Sequence, residues 1–410
     1  MLDTYRGLRS AYKYYKSYCA PAFGRGLKSF NRARYFSANG LFSEFSDDIH
    51  LKSTMSWLAR AQDVCNGQGV SASYTLGKGW EVAYPETSGY IIPTFVEYAR
   101  LHNCPIYFDR AVQIGDWEIE IQTPSGGVLS LPPKKPYLRV FNTGQVVLGW
   151  CVLYERTGNR KYLDAACKAG DFLCSTQESD GRWIQHTYCG PRTYYSRVDW
   201  ALLRLYQLTE ESEYLKKAER NLAWVLAQQT SSGWFANCGF HDHLPITHVL
   251  VYTLSGLLEC SEMDIDSIRK LDILPSLLKT TKKMNEFVNT TSVCGVRGLM
   301  PTSFQDNWVT QDNHSCLTGN AQYAIYLYRL SQVTGDNSYA ELADTLVSAL
   351  KQTQLISSRE SERNISGGIS GSFPIYMGYC RNSFLNWAAK FFADAVLMKS
   401  NHKSNLIIQS

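Results

Sequence analysis

The chain has no run of 18 apolar residues, the length a helix needs to cross a bilayer. It also lacks a large charge excess. Its 41 Lys and Arg against 37 Asp and Glu leave +4, too little to imply a nucleic-acid partner. No glycine-rich nucleotide fingerprint is present, and Gly77-Lys78-Gly79 is too short for a phosphate loop. With no Ser or Cys nucleophile signature either, hydride transfer and phosphoryl transfer are unsupported. The first residues are polar and tyrosine-rich, without the apolar core of a signal peptide. The 12 cysteines follow no disulfide framework; Cys151, Cys167, Cys174 and Cys260 sit inside helical patterns. Reduced, packed thiols are expected, and with them a cytoplasmic protein.

What is present begins with a basic arm. Arg6, Arg9, Lys13, Lys16, Arg25, Lys28, Arg32 and Arg34 face only Asp3 in the first forty residues. Residues 1–50 are read as a solvated extension, with weak membrane-surface contact through residues 1–40 as the alternative. Residues 51–400 form one repeat-built domain, and 401–410 a tail.

The repeat is visible in two stretches. Thr157–Ala166 continues to Gln177, Gly181 and Trp183; Thr209–Ala218 continues to Gln228, Gly233 and Trp234. A more degenerate copy starts at Thr334 and reaches Tyr339. Each copy opens with an amphipathic helix: Tyr214, Leu215, Ala218, Leu222, Val225 and Leu226 share one face. A helix apolar nearly all round follows the Gly-Trp turn, as at Val198–Tyr206 and Val249–Leu258. Such a helix needs neighbours on every side, so each unit pairs an outer with a buried inner helix.

The lead-in segments of the inner helices fall near Glu86, Asn142, Tyr195, His248, Ser315 and Asn386, at intervals of 53 to 71 residues. Outer helices are predicted near 51–65, 103–116, 160–176, 212–229, 264–288 and 337–354. Six of each close into an all-α (α/α)6 barrel, a toroid of six helical hairpins. Residues 122–137, rich in Pro and Gly, form a loop across the mouth.

This layout, with the strings Phe141–Trp150, Ser315–Leu327, Ile369–Tyr379 and Asn386–Ala395, resembles the six-hairpin toroids of carbohydrate-active enzymes. These comprise glycoside hydrolases, unsaturated glucuronyl hydrolases, toroidal polysaccharide lyases and the glucuronyl C5-epimerase domain, together with a branch found beside polysaccharide genes. The resemblance covers about residues 50–400 and implies a saccharide substrate. No catalytic role is carried over from it.

Inner-helix N-termini carry free N–H groups and partial positive charge, so the mouth favours polar or anionic ligands. The lead-in segments place there Glu86, Tyr90, Asn142, Gln145, Trp183, His186, Tyr188, Tyr195, Arg197, Trp234, His241, His243, His248, Trp308, Asn320, Tyr376, Tyr379 and Asn386. Sugars need flat aromatic platforms with many neutral donors and acceptors, and this set has both. Any single Trp or Tyr is more often core, and Asn142, Thr143, Ser315 and Asn386 are equally good helix caps.

Two reactions fit. Glycoside hydrolysis requires a pair of carboxylic acids, for which Glu86, Asp199, Asp242, Asp306 and Asp312 are candidates. Asp199 could equally pair with Arg197 or Arg204. Proton abstraction beside a uronate carboxylate instead needs a base, an acid and a cation. Tyr195, His241, His186, Arg197 and Glu86 are the catalytic choice, and the rest of the mouth set binds substrate. The expected substrate is an acidic oligo- or polysaccharide, cleaved or modified by lyase- or epimerase-type chemistry or by hydrolysis. No metal ligand is assigned. Zinc is left open by Cys238, His241 and His243, joined by Cys189, His314 or Cys316. The alternatives are a zinc-dependent toroid acting on a peptide or isoprenoid, and a non-catalytic glycan-binding scaffold.

Overall fold

The computed structural model describes residues 45–130, 137–240 and 245–409, with the side chains of 403–409 left aside. The basic arm therefore lies outside the described residues. Helix α1 (Asp47–Asp63) starts inside the stretch read as extension, because Ser46 caps it by accepting from the Ile49 amide. Inner and outer helices then alternate. The inner ones are α2 (Pro85–Leu101), α4 (Val140–Thr157), α6 (Ser196–Thr209), α8 (Thr247–Ser261), α11 (Leu317–Thr334) and α13 (Asn386–Gln409). The outer ones after α1 are α3 (Pro105–Ile121), α5 (Arg160–Thr176), α7 (Ser212–Ala227), α10 (Ile273–Thr290) and α12 (Asn337–Lys351), with the single turn α9 (Asp266–Arg269) before α10. No described helix is long and apolar enough to cross a membrane. The predicted tail is not separate, since α13 runs through 401–409.

The inner helices pack in sequence, and α13 returns to α2; the first outer helix, α1, seats on α13. That contact closes the ring. Short turns join α2, α4, α6 and α11 each to the outer helix after it, so the tightest hairpins run inner to outer. Gly158, at a φ of +66°, makes the turn from α4 to α5 and is replaced in the next hairpin by Glu210 at +60°.

Two features set the repeat. Gln122, Gln177 and Gln229, each just past the end of an outer helix, donate from Nε2 to the carbonyls of Ala165, Lys217 and Ser276 on the next outer helix. Two buried tryptophans tie elements together: Trp150 Nε1 on α4 donates to Gly115 O on α3, and Trp183 Nε1, in the loop after α5, to Leu173 O. Glycine brings the inner helices together near their N-termini. A Cβ on Gly89 would sit 2.7 Å from Val146 Cα, and one on Gly319 2.6 Å from His248 N. Close approach at that end narrows the hollow to a small cavity.

Short strands decorate the mouth. β1 (Ser73–Thr75) pairs antiparallel with β2 (Gly79–Trp80) and with β7 (Ser383–Leu385), linking the first and last lead-in segments. β3 (Ser292–Val293) pairs with β4 (Val296–Arg297), and β5 (Ser315–Cys316) with β6 (Ser372–Phe373). Among its described residues, the loop after α3 carries one bridge, Leu129 to Leu138.

Candidate functional site

A cavity of about 320 Å³ opens at the inner-helix N-termini, lined by Tyr84, Glu86, Thr87, Tyr90, Tyr188, Phe240, His248, Tyr379, Cys380 and Trp387. Lead-in segments one, three, four and six supply these residues. Six of the ten are Tyr, Phe or Trp, as a sugar's apolar faces require.

Glu86 is the carboxylate of this wall among the described residues. It sits in the first turn of α2, and its side chain is almost wholly buried. The Tyr84 hydroxyl donates to its Oε2 at 2.5 Å; Tyr84 Oη lies 2.8 Å from Tyr188 Oη, and Tyr188 donates to Asn142 Oδ1 at 3.0 Å. Burial pushes the Glu86 carboxyl up from 4.5 to about 7; the Tyr84 bond, then Arg197, hold it from rising further. His248 has the opposite bias. Burial lowers it to about 4, so at neutral pH it is an uncharged imidazole. With Nδ1–H donated to Gln322 Oε1 at 2.8 Å, Nε2 keeps its lone pair. Its ring packs on Tyr252 and Tyr379, with centroids 4.6 and 5.6 Å away.

Beneath lies Arg197, buried on α6. Its Nε donates to Gln145 Oε1 at 2.8 Å, and its guanidinium stacks over Tyr252 and Trp200. Among the described residues it forms no carboxylate ion pair. Lys390 does, with Asp394 at 2.5 Å. Arg197 therefore lies buried without an ion pair, with Glu259 and Glu86 within its electrostatic reach.

The cavity thus joins Glu86, Tyr90, Tyr188, His248 and Tyr379 from the sequence-derived set, with Asn142, Gln145 and Arg197 directly behind. Other choices lie elsewhere. Tyr195 is buried in an aromatic cluster with Trp183, Tyr194 and Phe141, away from the cavity wall. His186 packs against Phe172. Trp234 and Trp308 meet edge to face, and Trp308 Nε1 donates to Ser232 O, so both pin a loop rather than a ligand. Tyr376 is exposed and outside the cavity. His241, His243 and Asp242 lie outside the described residues.

Asn320, chosen for substrate binding, and the expected caps Thr143, Ser315 and Asn386 act differently. Asn320 Oδ1 accepts from Met300 N while Nδ2 donates to Cys316 O; Asn386 Nδ2 donates to Ser71 O and Thr87 Oγ1. Thr143 Oγ1 accepts from Val128 N, and Ser315 Oγ donates to Met300 O. These side chains staple neighbouring loops to the inner ring. Asp199 pairs with neither arginine. Both its oxygens are buried without a partner, while Arg204 binds Glu155. Asp306 is exposed, and Asp312 accepts from Ser303 N at 2.7 Å within its own loop.

Of the zinc-type donors, Cys238 is buried and its thiol is pushed up to about 12, far from thiolate. Among the described residues no group of three or more His, Cys, Asp or Glu is placed to hold a metal ion. Sequence reasoning reached Thr87 with the first lead-in segment but missed Tyr84, Phe240, Cys380 and Trp387. Tyr84 lies two residues before Glu86, and Trp387 follows Asn386, so proximity to chosen residues was the available signal.

Residues 114–257 match the family model of the β-L-arabinofuranosidase GH127 catalytic domain, from α3 to α8. No curated protein sequence matches the chain. Solved structures match it over nearly its whole length. A heparin-specific unsaturated glucuronyl hydrolase superposes with a TM-score of 0.70 at 12% identity, covering 88% of this chain and 99% of its own. The chain is an (α/α)6 toroid. A sugar epimerase from a ruminal bacterium gives 0.67 at 12% identity, covering 86% and 97%. A polysaccharide lyase gives 0.62 at 14% identity, covering 88% and 99%. All three place this toroid among carbohydrate-active folds, and at these identities the shared property is the fold.

Proposed function

We propose that this toroid is a carbohydrate-active enzyme that binds one acidic sugar residue in the mouth cavity and transfers a proton at it through Glu86. The observation that carries this reading is a single buried carboxyl, poised near neutral pH, in an aromatic cavity above an unpaired arginine. A proton-transfer group works best with a pKa near the working pH, and Glu86 has one. Two titratable groups pushed apart by their surroundings, Glu86 up and His248 down, mark the acid–base assignment. Neutral His248 then serves as acceptor for a sugar hydroxyl through Nε2.

Substrate charge follows from the interior. Arg197, behind the lining residues, makes no ion pair among the described residues, and protonated Glu86 adds no negative charge, so a sugar carboxylate complements the positive charge beneath the cavity. At about 320 Å³ the space is at the lower end of ligand pockets. It suits one ring, hence a chain end or a small saccharide, better than the middle of a polymer. Carboxylate-pair hydrolysis is the weaker reading, since Glu86 has no second carboxylate beside it among the described lining residues. The similar glucuronyl hydrolase, lyase and epimerase structures support a uronate or related sugar. All 11 cysteines of the described residues are free thiols, which supports the cytoplasmic placement.

The test is incubation with uronic-acid oligosaccharides, following unsaturated-product absorbance, reducing ends and epimer ratio together. Change in absorbance or epimer ratio is expected. New reducing ends without either would favour hydrolysis, and no change on any acidic glycan would remove the reading.

A further inference from the structure

The hydroxyl chain that reaches Glu86 contains a proton count. Three contacts link Glu86, Tyr84, Tyr188 and Asn142 Oδ1, and the two phenols between them own one hydrogen each. All three contacts can be hydrogen bonds only when a third hydrogen enters from an end. Protonated Glu86 supplies it. The carboxyl then donates to Tyr84, Tyr84 to Tyr188, and Tyr188 to Asn142 Oδ1. When Glu86 is ionised, Tyr84 donates to the carboxylate, and Tyr188 can donate to Tyr84 or to Asn142 Oδ1 but not to both, so one contact is left without a hydrogen. Where Tyr188 turns to Tyr84, Asn142 Oδ1, on a fully buried residue, loses its donor.

We propose that Asn142, acting through Tyr188 and Tyr84, biases Glu86 toward its protonated form, and that the three are positioning residues for the proton Glu86 transfers. This rests on the reading of Glu86 as the proton-transfer group. The amide is held in the orientation this requires, because its Nδ2 is turned toward Leu129 O at 3.4 Å, which keeps Oδ1 on Tyr188. The chain also spans three lead-in segments, with Tyr84 before α2, Asn142 in α4 and Tyr188 before α6. When Glu86 gives up its proton, the hydroxyls reverse in place and keep the carboxylate hydrogen-bonded, so the same group is ready to take a proton back.

Other groups bear on Glu86 too. Tyr90 lies on its own helix, Arg197 on α6, His248 and Tyr252 on α8, and Tyr379 and Cys380 before α13, with Lys390 on α13 beside Arg197. Arg197 favours the ion and is common to every variant below.

The experiment titrates Glu86 in the full-length protein by carboxyl-carbon NMR, its signal assigned by loss in Glu86→Gln. Asn142→Leu removes the terminal acceptor and should lower the Glu86 midpoint by about half a pH unit or more. In a Tyr188→Phe background, where the chain is cut, Asn142→Leu should leave the midpoint in place. An unmoved or raised midpoint in the single variant, or an equal drop in both backgrounds, overturns the proposal. Asn142→Ala gives the same reading if the leucine variant does not fold, which near-UV circular dichroism checks. No substrate is needed, so this failure is distinguishable from failure of the sugar reading.

Discussion

Tyr84 Oη lies 2.5 Å from Glu86 Oε2, two residues away across the start of α2. A phenol so close to a carboxyl in a desolvated wall holds its orientation and moderates the rise that burial imposes. The hydrogen bond is charge-assisted when Glu86 ionises. Tyr84→Phe should therefore raise the Glu86 midpoint, seen as an upward move of the corresponding limb in the pH–rate profile. A downward move would show that the loss of the link to Asn142 outweighs the loss of the Tyr84–carboxylate bond.

Glu86→Gln should lower turnover by roughly 10²- to 10⁴-fold, the range for a lost proton-transfer group. Its stability effect has a defined sign. The folded value is raised from 4.5 to about 7, so Glu86's favourable contribution is full below pH 4.5 and lost as pH rises through 7. Glu86→Gln removes that loss. Urea denaturation at pH 5 and pH 8 should show a smaller fall for the variant than for wild type, with an equal fall contradicting the assignment.

Asp199 and Glu118 are buried carboxyls with no hydrogen-bond partner, and burial pushes both well up. By the same sign, stability they lend to the protonated fold is lost as pH rises. Asp199→Asn should be near neutral in acid and stabilising by about 1 kcal/mol or more at pH 8. Equal stability changes at both pH values would mean Asp199 is not held protonated.

Tyr195 and Asn320 separate packing from binding. Tyr195→Phe deletes a buried hydroxyl away from the cavity, so turnover should stay within about twofold and stability within about 1 kcal/mol. Asn320→Ala strands the Met300 amide and should cost about 2–4 kcal/mol. Substrate KM in the folded fraction should hardly move. A tenfold KM rise without destabilisation would return Asn320 to the binding site.

Much of the architecture is legible in the sequence because helical periodicity is local. Five of the six outer helices lie within a few residues of their predicted places; the fifth starts at Ile273 because the turn Asp266–Arg269 precedes it. Glu86, Tyr90, Tyr188, His248 and Tyr379 were readable as mouth residues since each starts an inner helix or precedes one. Separating them from Tyr195, Trp183, Trp234 and Trp308 was not, because the choice depends on which way a ring turns from its loop. Trp183 and Trp308 turn their indole N–H to backbone carbonyls, a tertiary fact that residue type cannot show. The role of Asn142 depends on two hydroxyls from other segments.

The most direct measurement is solvent-deuterium incorporation at the carbon beside the sugar carboxylate, read by mass spectrometry on a uronic-acid oligosaccharide in D2O. Wild-type protein should either incorporate one deuterium at the terminal residue or form the unsaturated product by losing that hydrogen, and Glu86→Gln, folded and equally concentrated, should do so at least about 100-fold more slowly. Equal rates for the two proteins, or neither incorporation nor unsaturated product from wild type on any acidic glycan, would contradict proton transfer through Glu86.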